Sequence, residues 1–136
     1  MELIVFPGVE SLVGTYIQNL LTARGRTTAV ATKLPTDTRT GPGNTEHVRI
    51  QVIGGIRAGL VIKDATVLLE AYADTEAAAA ELAELVGAIL YGAQYDSASG
   101  IYLVEQTATP QNLPDPRTGM SRYTQTATVR LRGTAA

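Results

Sequence analysis

The sequence predicts an α+β domain: an antiparallel-rich sheet of about five strands with two helices packed on one face, in the order α-β-β-β-α-β-β. Three observations lead there. Two stretches, 9–24 and 74–92, carry apolar residues at helical spacing. Arg122 to Arg132 alternates between two faces as a half-buried strand does. Ala65 to Tyr72 is apolar on both faces apart from Glu70, which fits a strand in the middle of a sheet.

The chain has 136 residues, the size of one domain, 1–136, with long loops expected at about 35–46 and 108–120. The first helix is expected over Val9–Arg24, with Val9, Leu12, Val13, Tyr16, Ile17, Leu20 and Leu21 on one half of the cylinder. Gly25 suits its C′ position, and Arg24 suits the negative end of its dipole. Thr28–Leu34 reads as a short strand closed by Pro35. The loop Thr36–Glu46, with Gly41-Pro42-Gly43-Asn44 inside it, has no apolar side chain to bury.

His47–Ile53 alternates again, Val48, Ile50 and Val52 against His47, Arg49 and Gln51, and Gly54-Gly55 is expected to end it. The central strand follows between Leu60 and Ala73. Asp74 is the expected cap of the second helix, with Glu76 in its first turn. Leu82, Leu85, Val86, Ile89 and Leu90, with Ala78 and Ala79, form the expected buried stripe. Glu81, Glu84, Ala77, Ala80, Gly87 and Ala88 lie outside it, and the helix stops near Gly92.

Ile101–Thr107 reads as a fourth strand, and Ala108–Met120, with Pro110, Pro114 and Pro116, as a polar loop. Asp115-Pro116-Arg117-Thr118-Gly119 is a turn, its Asp a former whose side chain caps local N–H groups. The last strand places Tyr123, Ala127, Val129 and Leu131 on one face, with Gln125 the one polar exception. Arg122, Thr124, Thr126, Thr128, Arg130 and Arg132 share the other. The last four residues are expected to fray.

Composition narrows the chemistry. A net charge of −2 does not fit a bulk nucleic-acid binder. Of eleven basic residues two are Lys (Lys33 and Lys63) and the other nine Arg, so local basic faces remain open. There is no Cys, which excludes disulfides, Cys-based zinc sites and thiol catalysis. The N-terminus lacks the pattern of a signal peptide and no stretch is long enough to cross a bilayer, so a soluble, cytoplasmic protein is expected.

His47 is the only histidine, without a second His or paired carboxylates near it in sequence, and reads as an ordinary strand residue. Gly41-Pro42-Gly43-Asn44 is followed by no Lys-Ser/Thr and is not a phosphate loop. Gly54-Gly55 reads as a turn or bulge. Glu81 and Glu84 read as a solvated face. No catalytic, cofactor-binding or metal residues are expected, and no enzyme activity.

Two patterns point to protein contact. Arg122, Arg130 and Arg132 line one strand face, and Arg39 and Arg117 sit in the two loops; a solvated face and a partner's carboxylates or phosphates are both open readings. No aromatic residues are interleaved with them, so base stacking is not expected. Ala77, Ala80 and Ala88, with few charges around them, fit either helix propensity or close approach of a neighbouring subunit.

Asp115-Pro116-x-x-Gly119-x-x-Arg122-Tyr123, followed by the Thr-rich strand ending Arg130-x-Arg132, resembles the C-terminus of the tail terminator (tail completion) proteins of long-tailed siphophages, of the actinobacteriophage type. Tyr16-Ile17-x-x-Leu20-Leu21 is similar to that family's opening helix, and Lys33-Leu34-Pro35 to its first loop boundary. Val48-Arg49-Ile50-Gln51-Val52-Ile53-Gly54-Gly55 is similar to its strand ending in a glycine pair. Asp64, the strand through Tyr72, and Asp74–Leu90 resemble its central strand–helix unit.

The resemblance implies a structural virion assembly protein. It would form a hexameric ring that caps the tail tube, ends tube polymerisation and offers the head–tail joining surface. The implied partners are copies of itself, the tail tube protein and a head–tail connector or neck protein. Phage DNA would pass through the lumen without specific binding, and no membrane and no cofactor are implied. The implied location is the head-proximal end of the virion tail, with the host cytoplasm during assembly. Candidate interaction residues are Asp37, Arg39, Arg117, Arg122, Arg130, Arg132, Ala77, Ala80 and Glu84. The alternatives are a neck or head–tail connector component and, from another class, a small-molecule-binding α/β module or enzyme.

Overall fold

A computed structural model of the chain describes residues 2–33, 46–117 and 119–136. The element order is β1 (Ile4–Val5), α1 (Val9–Ala23), β2 (Ala29–Ala31), β3 (His47–Arg57), β4 (Ile62–Ala73), α2 (Glu76–Gly92), β5 (Ile101–Asn112), β6 (Ser121–Arg132) and β7 (Thr134–Ala135), with a 3-10 turn at Ala93–Tyr95 after α2. The chain is α+β, as the periodicities predict.

The apolar spacing of α1 buries Val9, Val13, Ile17 and Leu21, one residue every four. Gly25, at φ 76°, closes it. The Gly25 N–H donates to the Thr22 carbonyl (2.9 Å) and the Arg26 N–H to the Leu21 carbonyl (3.0 Å), so two otherwise orphaned carbonyls are satisfied. In α2 the cap is Thr75, not Asp74: the Ala78 N–H donates to Thr75 Oγ1 at 3.1 Å. Asp74 stands one residue too far out to reach that donor.

Five strands form one mixed sheet in the order β2-β3-β4-β6-β5, antiparallel except for the parallel pair β2–β3. The strand that is apolar on both faces, β4, occupies the centre, where both of its edges are hydrogen-bonded. A second, two-stranded sheet pairs β1 with β7, Ile4 opposite Ala135 and Val5 opposite Thr134. The C-terminal residues expected to fray are tied down there. Two residues per strand are too few for any periodicity to show.

Two further expectations change. Gly54-Gly55 does not end β3, which runs on to Arg57 with a register shift between Val52 and Gly54. Gly55 sits at φ 154°, and a Cβ there would lie 2.5 Å from the Asp64 carbonyl oxygen, so only glycine lets the bulged strand stay paired with β4. The expected loop 108–120 is strand as far as Asn112. Pro110 is tolerated because β5 is an edge strand, where a missing N–H breaks no inner ladder.

The core lies between this sheet and both helices. Val48 and Ile50 of β3, Ala65, Val67 and Leu69 of β4, and Ala127, Val129 and Leu131 of β6 face the buried stripes of α1 and α2. Gln125 is the polar residue on that face, and its bonds explain it. Its amide donates to the Ala83 carbonyl of α2 at 2.7 Å, and its Oε1 accepts from Gln106 of β5 at 2.9 Å. Gly87 makes room: a Cβ there would stand 2.6 Å from Gln125 Oε1, which puts Gly87 towards the sheet and not, as expected, on the outer face of α2.

Candidate protein-interaction interface

The sheet's outer face carries the residues that alternate with the core: Arg49, Gln51, Glu70, Tyr72 and the Arg/Thr side of β6. Register brings them together. Arg49 lies opposite Glu70 across β3–β4, and Tyr72 opposite Arg122 across β4–β6. Glu70 is only 4 % exposed and sits between two guanidinium groups, Arg122 at 2.8 Å and Arg49 at 3.3 Å. Two cations around one buried carboxylate satisfy a group that would otherwise be costly to desolvate.

Arg122 also donates from Nε to the Leu113 carbonyl at 2.8 Å, while the Leu113 N–H donates to the Arg122 carbonyl at 3.0 Å. It therefore fastens the 113–120 turn to the sheet. Within that turn Asp115 Oδ1 accepts from the Arg117 N–H (2.9 Å), and the Asp115 carbonyl accepts from Gly119 (2.8 Å), which stands at φ 73°. The expected role of Asp115 as a turn former that caps local N–H groups holds.

His47 and Tyr72 complete this buried end, their rings 6.1 Å apart and tilted. Burial lowers the proton affinity of His47, a backbone carbonyl at Lys33 opposes that, and Arg49 adds to the lowering. Burial raises the Tyr72 phenol, against the pull of Arg122. Further along, Arg130 makes a bidentate pair with its cross-strand neighbour Asp64, 2.8 and 3.0 Å, which holds that carboxyl below its usual range.

The candidate residues therefore divide. Arg122 and Arg130 are engaged by carboxylates of their own chain. Arg117 and Arg132 are exposed, and neither has an ion-pair partner among the described residues. Ala77 and Glu84 are exposed on α2 and Ala80 is half-buried. Asp37 and Arg39 lie outside the described residues, as does the predicted loop except at its last residue. Among the described residues no group of three or more His, Asp or Glu could hold a metal, and no helix is long and apolar enough to cross a membrane.

The surface that sequence reading missed is apolar. β2 pairs only with His47, Val48 and Arg49, so beyond Arg49 the outer edge of β3 has no strand beside it among the described residues. The Val52 N–H is met by Glu10 Oε2 at 3.1 Å. From Val52 on, every residue through Leu60 is exposed, Ile56 by 67 % and Leu60 by 69 %, with Val52 and Ile53 beside them. Arg57 stands 4.8 Å from the Phe6 ring and Lys63 5.9 Å, a cation–π stack at the base of this arm. The sequence did carry a signal: Val52-Ile53 are adjacent apolar residues that no single buried face can take in a strand of period two.

No protein-family model matches this chain, and no curated protein matches it.

Proposed function

We propose that this chain is a structural assembly protein of a long-tailed phage: a tail terminator that closes into a ring, six copies by the resemblance, and caps the tail tube. The observation that carries the reading is a contrast in where polar and apolar groups lie. On the sheet's outer face Glu70 is paired with Arg49 and Arg122, and Asp64 with Arg130, while large aliphatic side chains from Val52 to Leu60 stand exposed. A catalytic surface would present the reverse: poised polar groups in a cleft with apolar walls. An apolar edge is a surface for another polypeptide.

The Asp115–Tyr123 turn on which the resemblance chiefly rests supports the same reading. Its Arg122 braces the turn against Glu70, so the motif fixes a rigid shape. A ring requires a heterologous contact whose rotation closes, and such a contact needs two different rigid surfaces on each copy. A chain of net charge −2 also suits a channel that DNA must traverse without being held by counterion release.

The test is capping. Purified protein mixed with polymerising tubes of the tail tube protein is expected to arrest their growth and to appear as a ring at one end in negative stain. Tubes that elongate unchanged in its presence overturn the proposal.

A further inference from the structure

We propose that the exposed arm Val52–Leu60 of one copy seats on the outer face of α2 of the next copy, a head-to-tail contact. The inference rests on the ring reading above and names the two surfaces that would build the ring.

The arm is apolar and basic. Between Gln51 and Lys63 the chain holds Arg57 and Lys63 and no acidic residue. Val52 and the residues after it project past the end of β2, and Ile56 and Leu60 are more exposed than large aliphatic side chains of a solvated edge need be. Strand edges that face water are normally blunted by charge, by Pro or by irregular pairing. The other edge of this sheet, β5, has all three: Glu105, Pro110 and register shifts between Ile101 and Leu103, Gln106 and Ala108, and Ala108 and Gln111. The arm of β3 has one shift, at Gly54, and its charges are held back over Phe6.

The face it fits is acidic and smooth. α2 contains Glu76, Glu81 and Glu84 and no basic residue. Glu81 is paired with Arg26 at 2.9 Å, but Glu76 and Glu84 are exposed and have no ion-pair partner among the described residues. Ala77, Glu84, Ala88 and Tyr91 follow one another along the exposed side, with Tyr95 beside Tyr91 at 6.2 Å. An aliphatic arm with one cation, Arg57, and Lys63 close to its base beside Phe6, meets a small-residue face with two carboxylates and exposed aromatic edges. The buried side of α2 packs on β4, β5 and β6, so its outer face turns away from the sheet. The contact therefore joins different copies, and because the two patches differ it is heterologous.

The absence of Cys makes the test clean. Ile56→Cys is combined in turn with Ala77→Cys, Glu84→Cys and Ala88→Cys in the full chain, and mild oxidation is followed on a non-reducing gel. At least one pair is expected to give a ladder of covalent oligomers, and Arg57→Glu to reduce that ladder about tenfold. Adding Glu84→Arg to Arg57→Glu in an Ala77 or Ala88 pair is expected to restore it. The single variant Ile56→Cys is expected to give no covalent dimer.

No ladder from any of the three pairs overturns the inference. So does a dimer from Ile56→Cys alone, which would mean like meeting like, or strand pairing at the β3 edge. A ladder that runs past six leaves this contact standing and removes the closed hexamer, so the two failures are told apart.

Discussion

The two ends of β3 break the usual inside–outside rule in opposite directions. At His47–Arg49 the strand runs through a buried polar cluster, where Glu70 lies between Arg49 and Arg122 and His47 leans on Tyr72. At Val52–Arg57 it carries aliphatic side chains into solvent. At the first end the charges are met within one chain: every guanidinium there meets a carboxylate or a carbonyl. The second end lacks anything to cover it among the described residues. The difference teaches that this chain braces its own fold with the polar end, while the apolar end adds little to it and is the surface that the proposed contact would use.

Glu70→Ala should break that contrast most strongly. It leaves two half-buried arginines without their shared anion and loosens the hold of Arg122 on the 113–120 turn. Breaking a buried pair costs roughly 3 kcal/mol, so the urea midpoint should fall by a corresponding amount at neutral pH. A midpoint within error of wild type would mean the cluster contributes nothing to the fold.

His47 gives a smaller, pH-dependent effect. Its folded proton affinity lies below the ordinary value of 6.5, so in acid the unfolded chain takes up a proton that the folded chain refuses. Stability is fully present above pH 6.5 and is lost progressively as pH falls below it. The depressed carboxyls of Asp64 and Glu81 act lower, since their unfolded values are 3.8 and 4.5. Chemical denaturation of His47→Gln at pH 7 and pH 5 should show that slope flattened. An unchanged slope would assign it to other groups.

The smallest stability effect belongs to the other end. Ile56→Ser removes an exposed side chain and should move the monomer's unfolding free energy by no more than about 0.5 kcal/mol in urea titration. A loss of 2 kcal/mol or more would place Ile56 in the core and erase the contrast.

Much of this arrangement is legible in the residues one after another. The stripe Val9, Val13, Ile17, Leu21 and the alternation of β6 are local periods, and each fixes which face turns inward. The central place of β4 follows from Ala65–Tyr72 being apolar on both faces apart from Glu70. Arg122 and Arg130 are legible as charged residues of one strand face, but their partners are not, because Glu70 and Asp64 lie 52 and 66 residues away. The Thr75 cap and the Gly54 bulge are likewise not legible in the local sequence. A glycine pair looks like a stop until a neighbouring strand is there to carry the pairing past it.

The sequence by itself determined the two helices and the alternating strands with most of their inward faces, and the turn at Asp115, because those depend on spacing within a few residues and on backbone preference. Only the tertiary structure decided that β2 runs parallel to β3, that β1 and β7 pair across the whole chain, that Glu70 joins two arginines and that the far end of β3 has no strand beside it among the described residues. Each of these depends on register between strands distant in sequence, and register is set by packing the whole sheet at once.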